Sequence, residues 1–268
     1  MPSDSGLVSI IIPAYNAKKT LPRCLDSLVD QDYTNIEIIV CNDESKDGTM
    51  DAASQYAARD ARIKALSLQR GGISKARNAG LQAAAGEYIM FCDSDDTFEK
   101  NACSLMVEAI RGHEMAIAHF NFIVGKISSD RGLVADGSIL SEDTFLDLVV
   151  RKPGTFYISA LWNKIYRADI IRDHGLSFDP FYTWGEDFAF NMEYFAHVHS
   201  VKCCPASIYN YFKSANSSSM RTWTQIPHSI AIKKHLYDAL RKLYRDKGLY
   251  NRYKALIHRY PFTVTLND

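Results

Sequence analysis

Residues 87–96 of this chain read EYIMFCDSDD, an apolar run that ends in acidic side chains. The apolar part has the character of a buried strand, and Asp93, Asp95 and Asp96 follow it directly. Carboxylates at close range repel one another and leave water reluctantly, so their clustering needs an explanation. Either these acids cap the next helix from a solvated loop, or a cation balances their charge at a binding site.

Strand and helix patterns alternate through the first 112 residues. Runs rich in Ile and Val predict strands buried on both faces at 7–15, 36–43, 63–68 and 87–93, with amphipathic helices between them. This order is typical of βαβ units and predicts an α/β fold with a mostly parallel sheet flanked by helices. Ligands of such folds bind outside the carboxyl ends of the strands, where the three acids stand.

The pattern is less regular from about residue 113 onward. Strands are predicted over 114–125 and 131–138, as a hairpin, and over 201–212. A helix is predicted over 97–112, with Asp96 or Thr97 as its cap. Further helices are predicted over 141–151, 159–175, 185–198 and about 226–260.

The composition excludes several classes of protein. Apolar residues make up 47% of the 268 residues, and 31 basic residues balance 31 acidic ones, so nothing indicates a general binder of nucleic acid. The N-terminus lacks the pattern of a signal peptide, and no stretch reaches the ~18 apolar residues of a membrane span. The six cysteines form no Cys-x-x-Cys pair, and we expect a reducing, cytoplasmic location.

Asp93 and Asp95 are separated by one residue, which projects both from the same side of an extended chain. One acid can bind a hydroxyl while the other holds Mg²⁺ or Mn²⁺, since these ions prefer oxygen ligands and take one or two carboxylates beside phosphate and water. The residues alone fit a solvated loop equally well, because Asp-x-Asp is a common pattern.

Asp43 and the pair Glu186–Asp187 each have a functional and a structural explanation. Asp43 ends the second predicted strand, where a carboxylate meets a base or ribose, but Asp43 and Ser45 would equally form a turn and a cap. Glu186 and Asp187 begin an apolar helix. There the helix dipole stabilises them, or one serves as a general base beside aromatic rings.

The stretch RGGISKARNAG (70–80) places two glycines before a helix whose N-terminus suits a phosphate. Arg77 and Asn78 lie about one turn into this helix. A solvated helix face is the structural alternative. It fits Arg77 and Asn78 less well, because small alanines flank them on a helix that must pack closely.

Six stretches occur in order and carry a resemblance together: VSIIIPAYN, IIVCNDESKDGT, GGISKARNAGL, GEYIMFCDSDD, LWNKIYR and GEDFAFNMEYF. From residue 7 to about 213 the chain resembles the family 2 glycosyltransferases, inverting enzymes with the GT-A fold. The resemblance implies a GT-A, Rossmann-like domain over 1–222, divided into a nucleotide-binding half (1–112) and an acceptor-side half (113–222). A helical C-terminal extension over 223–268 would follow, and it stops without a closing element, as a truncated chain would.

The resemblance also assigns roles to single residues. It implies that Asp43 reads uracil, that Asp93 contacts ribose and that Asp95 binds the metal. Asp187 would be the catalytic base, with Glu186 as its neighbour. The other residues implied to bind the nucleotide sugar are Pro13, Ala14, Tyr15, Arg77, Asn78 and Ser94.

The implied activity is metal-dependent transfer of a sugar from a nucleotide-diphosphate donor, with UDP favoured by Asp43. The acceptor would be a hydroxyl of a glycan or a lipid-linked glycan, in the synthesis of a surface polysaccharide. Mn²⁺ or Mg²⁺ at Asp95 would offset charge on the leaving diphosphate in a single displacement with inversion. A loop over 209–221, with Lys213 and Arg221 as its cations, would close over the diphosphate, and Asp96 has no settled role beside the site.

The basic and aromatic segment over 226–260 has two interpretations. It could lie on an anionic membrane surface, which would place the protein at the inner face of the membrane near a lipid-linked acceptor. Alternatively it is a solvated helix that packs on the domain through Ile230, Leu236, Leu240 and Leu243. The second interpretation is favoured, because charge runs are usually solvated helix faces.

Two other functions fit parts of the sequence. DSDDT (93–97) matches the Asp-x-Asp-x-Thr motif of haloacid-dehalogenase-like phosphohydrolases, in which Asp93 would be the nucleophile and Asp95 the acid/base. That family carries its motif on an early strand, whereas here it follows the fourth. A degenerate transferase that binds nucleotide sugars without catalysis is the other alternative, and the presence of all the expected acids argues against it.

Overall fold

The computed structural model of the chain describes residues 6–213 and 226–260. Its first part alternates strand and helix, as predicted, and all four predicted strands are present. In order, the elements are β1 (Val8–Ala14), α1 (Leu21–Val29), β2 (Ile36–Asp43), α2 (Thr49–Ala57), β3 (Ile63–Leu68), α3 (Ile73–Ala83) and β4 (Tyr88–Phe91).

The second part mixes short strands with helices. In order, its elements are β5 (Thr97–Phe98), α4 (Ala102–Ile110), β6 (Met115–Val124), β7 (Ile127–Arg131), β8 (Ile139–Ser141), α5 (Glu142–Arg151), α6 (Phe156–Ser159), β9 (Lys164–Arg167), α7 (Ala168–Asp173), α8 (Glu186–Phe195), β10 (Ser200–Phe212), α9 (Ile226–Asp246) and α10 (Tyr250–Ile257). The strand predicted over 201–212 and the helices predicted over 141–151 and 185–198 are confirmed.

A ten-stranded sheet runs through both parts, in the order β3-β2-β1-β4-β9-β6-β10-β5, with β7 beside β6 and β8 beside β10. The first four strands pair in parallel, β9 runs antiparallel between β4 and β6, and β10 is parallel to β6. The carboxyl ends of β1, β2, β4 and β6 therefore lie on the same side of the sheet as the amino end of β9. We call this side the carboxyl edge.

Helices cover both faces of the sheet, and β1 and β2 are buried along their whole length. Side chains alternate along a strand, so Ile11 packs towards α3, α5 and α8, while Ile10 and Ile12 pack towards α1 and α4. Each buried side chain of this size contributes ~1.5–3 kcal/mol. Burial on both faces explains the uninterrupted apolar run that the sequence shows there.

The helix predicted over 97–112 begins later than expected. Thr97 and Phe98 form the short strand β5, which pairs with β10, and α4 starts at Ala102 after Asn101. The predicted cap by Asp96 or Thr97 is therefore wrong. The Asp96 carboxylate accepts hydrogen bonds from β10 instead, a tertiary contact that local spacing does not reveal.

Two other predictions for the second part are wrong. The partner of β6 in the hairpin is Ile127–Arg131, not 131–138, because the chain turns back at once through Gly125 at φ 61°. The predicted helix over 159–175 is interrupted by β9, which fills the gap between β4 and β6. Ile165 and Tyr166 of β9 are fully buried, so burial within the sheet outweighs the helical pattern.

The C-terminal helices α9 and α10 pack against α8 and α5. Leu236, Leu240 and Leu243 are buried in this contact, as predicted, whereas Ile230 is 63% exposed and its predicted packing is wrong. Within residues 6–213 and 226–260, no helix combines the length and the apolar character that crossing a bilayer requires.

Candidate active site

Arg77, on α3, joins two motifs that lie far apart in the sequence. Its side chain is 2% exposed, and its guanidinium contacts three carboxylates. Nη1 donates to Glu186 Oε1 at 2.8 Å and to Asp187 Oδ1 at 2.5 Å. Nη2 donates to Asp93 Oδ1 at 3.2 Å. The acid that follows β4 and the acid pair that begins α8 therefore meet on one cation at the carboxyl edge.

The neighbours of Arg77 on α3 fix its position. A Cβ atom on Gly80 would lie 2.3 Å from Ile11 Cγ2, so the glycine lets α3 lie directly on β1. The Asn78 side chain donates to the backbone oxygen of Phe178 at 2.7 Å and accepts from its backbone N–H at 2.8 Å. These two bonds tie α3 to the segment around Phe178 that leads into α8. Both polar groups of the Asn78 amide are therefore bonded to protein backbone.

Three carboxylates share one guanidinium in a largely buried site. Burial raises the pKa of Asp187 well above its ordinary value, against the attraction of Arg77 and with the repulsion of Glu186. Burial also raises the pKa of Asp93, which Arg77 again opposes. A carboxylate with raised proton affinity, held at a defined place, is suited to act as a general base.

Asp43 holds the start of α3 and not the start of α2. Its carboxylate accepts from the backbone N–H groups of Gly71 at 2.7 Å and Gly72 at 3.0 Å. The backbone N–H of Thr49, at the start of α2, bonds to Asp47 Oδ1 instead. The predicted local cap by Asp43 is therefore wrong, and its predicted contact with a uracil base stays a prediction.

The PAYN turn follows β1 at the carboxyl edge. Pro13 and Ala14 are the last residues of β1 and lie in register with Cys41 and Asn42 of β2. Tyr15 projects beyond the strand and is 47% exposed. The turn and Asp43 therefore form adjoining parts of one surface, as the implied nucleoside site requires.

Asp95 is the acid of the DSDD stretch with the fewest protein partners. No side chain in the described part of the chain donates a hydrogen bond to its carboxylate, and burial beside Asp93 raises its pKa to about 6. Arg23 on α1 donates to the Asp95 backbone oxygen at 2.5 Å, and its guanidinium lies 3.8 Å from the centre of the Phe212 ring. Ser94 is half-buried between the two acids.

Asp96 is a structural member of the site that sequence patterns do not define. It is buried, and its carboxylate accepts from the Tyr209 hydroxyl at 2.7 Å and from the backbone N–H of Phe212 at 2.8 Å. The same Tyr209 oxygen accepts from the backbone N–H of Asp93 at 3.1 Å. The end of β10 therefore fixes the turn that carries the acids, and burial raises the pKa of Asp96 well above its ordinary value.

The LWNK turn (161–164) packs against the ring of Tyr209, whose hydroxyl holds the acidic turn. Trp162 stacks on the Tyr209 ring with centroids 4.5 Å apart and planes 8° apart. The turn is held from within by Lys164, whose Nζ donates to the backbone oxygens of Tyr157 and Ala160 at 2.9 and 2.5 Å. Burial lowers the pKa of Lys164 well below its ordinary value.

Asn191 links this turn to the helix that carries the acid pair. It lies one turn after Asp187 on α8, and its amide donates to the backbone oxygens of Ser159 and Ala160 at 2.8 and 3.2 Å. Its oxygen accepts from the Tyr166 hydroxyl at 2.8 Å. The sequence signal for Lys164 and Asn191 is that each is a polar residue inside an otherwise apolar element. That signal does not identify their partners.

The residues predicted for the closing loop are only partly described. Lys213 Nζ lies 5.5 Å from the centre of the Phe122 ring, at the carboxyl end of β6. Arg221 lies outside the described residues. The contact of one of these cations with a diphosphate therefore stays a prediction.

The family model described as "Glycosyl transferase family 2" matches residues 9–175. The uncharacterized glycosyltransferase EpsJ of Bacillus subtilis (strain 168) is 33% identical over 253 residues, which cover 92% of this chain and 70% of EpsJ. Escherichia coli chondroitin synthase is 26% identical over 248 residues, which cover 88% of this chain and 35% of that protein. The crystal structure of S. aureus TarS in complex with UDP-GlcNAc superimposes with a TM-score of 0.67 at 21% identity, covering 90% of this chain and 66% of that chain.

The chain therefore belongs to glycosyltransferase family 2, and it is a glycosyltransferase. The likeness to TarS confirms the predicted GT-A fold. Membership of this family also decides against the phosphohydrolase explanation of DSDDT.

Proposed function

We infer that this glycosyltransferase moves a sugar from a UDP-linked donor to an acceptor hydroxyl by an inverting, metal-dependent single displacement. The observation that carries the inference is the meeting of Asp93, Glu186 and Asp187 on Arg77 at the carboxyl edge. A displacement needs donor-binding and proton-accepting groups within reach of one sugar carbon. One buried guanidinium shared between the two motifs supports that arrangement.

The donor would lie along the carboxyl edge from β2 to β4. Tyr15 would contact the nucleobase, Asp43 would accept a hydrogen bond from it, and Asp93 would accept one from the ribose. Pro13, Ala14, Ser94 and the start of α3 would line the remainder. The TarS structures with UDP-GlcNAc and with UDP support a nucleotide-sugar donor, because they share the fold of this chain.

Asp187 would take the proton from the acceptor hydroxyl as that oxygen attacks the anomeric carbon. A positioned general base typically contributes about 10²–10⁴-fold to the rate. Arg77 would act through Asp187, by aiming its carboxylate and limiting its proton affinity. Glu186 shares the same Nη1 and would keep Arg77 in place.

Asp95 would hold the divalent cation. The residues fit such an ion: the carboxylate has no side-chain donor among the described residues, and Mg²⁺ or Mn²⁺ in nucleotide sites needs only one or two carboxylates. The described residues contain no group of three or more His, Cys, Asp or Glu side chains that forms a metal centre by itself. When bound, the cation offsets the charge that develops on the leaving diphosphate.

The acceptor would be a glycan or a lipid-linked glycan in polysaccharide synthesis. The name of the chondroitin synthase relative supports a polysaccharide product. Exposed basic residues on α9, on α10 and directly after α10 support contact with an anionic membrane surface: Lys234, Arg245, Lys254 and Arg259. Co-sedimentation with anionic and neutral liposomes measures that contact, and absence from both pellets would reject it.

Calorimetry of UDP binding tests the donor and the metal together. We expect UDP to bind more tightly with Mn²⁺ than with EDTA, and Asp95→Asn to remove that enhancement. Asp173→Asn is the matched control, since Asp173 is an exposed carboxylate on α7. Equal Mn²⁺ enhancement in the wild type and in Asp95→Asn would overturn the metal assignment.

A further inference from the structure

The side chain of Arg70 lies across the two groups that the proposed function assigns to the nucleobase. Arg70 is in the connection between β3 and α3. Its guanidinium carbon lies 3.3 Å from the centre of the Tyr15 ring. Its Nη1 lies 3.0 Å from Asp43 Oδ2 and donates to the Asp43 backbone oxygen at 3.3 Å. A flat, hydrogen-bonding group therefore already stacks on Tyr15 and pairs with Asp43.

A nucleobase cannot share this face of Tyr15 with the guanidinium. Carbon atoms in contact lie about 3.5–4.0 Å apart, and the guanidinium already fills that layer. The other partners of the Asp43 carboxylate are the backbone N–H groups of Gly71 and Gly72, which belong to the start of α3. The Arg70 contact is thus the one that a base N–H can replace without disturbing the fold.

The geometry also permits Arg70 to leave. Its side chain is 49% exposed and the Tyr15 residue 47%, so the contact is open to water. The backbone N–H of Arg70 donates to Glu44 Oε2 at 3.0 Å, which anchors the main chain independently of the guanidinium. Asp43 stays oriented by the two glycine N–H groups when the arginine departs.

We propose that Arg70 is a built-in competitor of the nucleobase, which must displace its guanidinium from Tyr15 and Asp43. The proposal rests on the proposed function, since it takes Tyr15 and Asp43 as the base site. It also makes Arg70 a determinant of base selectivity. Only a base that offers Asp43 an N–H, as uracil does at N3, restores the hydrogen bond that the arginine gives up.

Calorimetry with UDP and with UMP tests this proposal. Arg70→Ala should tighten binding of both nucleotides about three- to tenfold, because the cation–π contact is half-exposed and the ion pair joins a half-exposed arginine to a buried carboxylate that keeps two backbone N–H partners. The gain should be the same for UMP and UDP, and with Mn²⁺ or EDTA, because Arg70 acts at the base end. Arg70→Lys, which keeps the charge and loses the flat group, should fall between the wild type and Arg70→Ala.

Arg59→Ala is the matched control, because it removes one exposed positive charge from the end of α2, away from Tyr15. It should leave nucleotide affinity unchanged. If the wild type binds UDP and Arg70→Ala binds it equally or more weakly, the competitor role is overturned and the donor assignment stands. If neither protein binds UDP or UMP with Mn²⁺ present, the donor assignment fails and this inference fails with it.

Discussion

At the scale of single residues, the chemistry of the site depends on how three carboxylates share Arg77. Each bond to the guanidinium fixes the direction of one carboxylate, and the positive charge limits how far burial raises the pKa of Asp93 and of Asp187. Removing one partner from a buried ion pair typically costs about 3–5 kcal/mol, because an uncompensated charge stays behind. Substitutions that preserve shape are therefore the informative ones here.

Asp187→Asn should retain donor binding and lose about 10²–10⁴-fold in transfer, because the amide keeps the shape but cannot take the proton. Glu186→Gln should lose less, since Glu186 positions Arg77 in our account. Rates of UDP release from the donor sugar, with UDP affinities measured alongside, separate catalysis from binding. An inactive Glu186→Gln protein beside a nearly wild-type Asp187→Asn protein would show that the two roles are reversed.

The pH dependence of the rate should shift in opposite directions when Arg77 or Glu186, two of the charged neighbours of Asp187, is replaced. The base works when deprotonated, and burial raises its pKa, so activity should fall as the pH decreases through that pKa. Arg77 lowers the pKa and Glu186 raises it. Arg77→Gln, which removes the positive charge, should therefore move the acidic limb to higher pH, and Glu186→Gln should move it to lower pH.

Profiles of kcat against pH for the three proteins measure this, with thermal melting as a check that each is folded. Limbs that coincide in all three proteins would show that a group other than Asp187 controls the rate.

Residues with local signals were predictable, and residues defined by tertiary contacts were not. Asp43, Asp93 and Asp95 were predictable because each follows an apolar run typical of a strand. The carboxyl ends of parallel strands meet at one edge of the sheet, where ligands bind. No pattern in the sequence shows that Tyr209 supports both Asp93 and Asp96. Its partners lie more than a hundred residues away, and a tyrosine in a strand usually only packs.

At the scale of elements, α8 is the part that must be held still. α9 packs directly on the turn before Glu186, where a Cβ atom on Gly185 would lie 2.8 Å from Leu236 Cδ1. Tyr260 stacks on Phe188 with centroids 5.0 Å apart. The C-terminal helices therefore brace the start of the helix that carries the acid pair, in addition to any contact they make with a membrane.

Gly185→Ala should reduce both stability and transfer. Gly185 has φ 77°, a conformation that costs an L-residue roughly 1–2 kcal/mol, and the new methyl group would push Leu236 and the start of α8 apart. Gly248→Ala is the control, because φ is 70° there and nothing lies within 4 Å of the added Cβ.

Thermal melting and transfer rates of both variants measure the outcome. Both should lose stability, while only Gly185→Ala should lose transfer. Equal transfer rates in the two variants would contradict a role for this contact in positioning Asp187.

The elements that the sequence predicted well are those whose environment is set by neighbours along the chain. β1 to β4 belong to consecutive βαβ units, so their apolar runs describe their final burial. β9 was missed because it enters the sheet between β4 and β6, strands that are distant from it in sequence. Its four residues carry a helical pattern that only the completed sheet overrides.

At the scale of the whole molecule, one sheet connects the predicted donor side to the predicted acceptor side. β4 and β6 run in the same direction with β9 between them, so polar side chains from both parts of the chain converge on the carboxyl edge. Asp187, at the start of α8, also lies at this edge, where its carboxylate pairs with Arg77. The acids of DSDD are tolerated there because Arg77, β10 and, in our account, a bound cation compensate their charge.

Anomalous diffraction from Mn²⁺ in crystals grown with UDP would locate the metal and the donor in one experiment. We predict one strong peak at coordination distance, about 2 Å, from the Asp95 carboxylate, with the diphosphate beside it and the uracil against Tyr15 and Asp43. Asp187 should then face the open side of the site across from the leaving group. A Mn²⁺ peak or a UDP molecule bound elsewhere, with Asp95 free of both, would show that Asp95 is not the metal ligand and that the donor does not lie at the carboxyl edge.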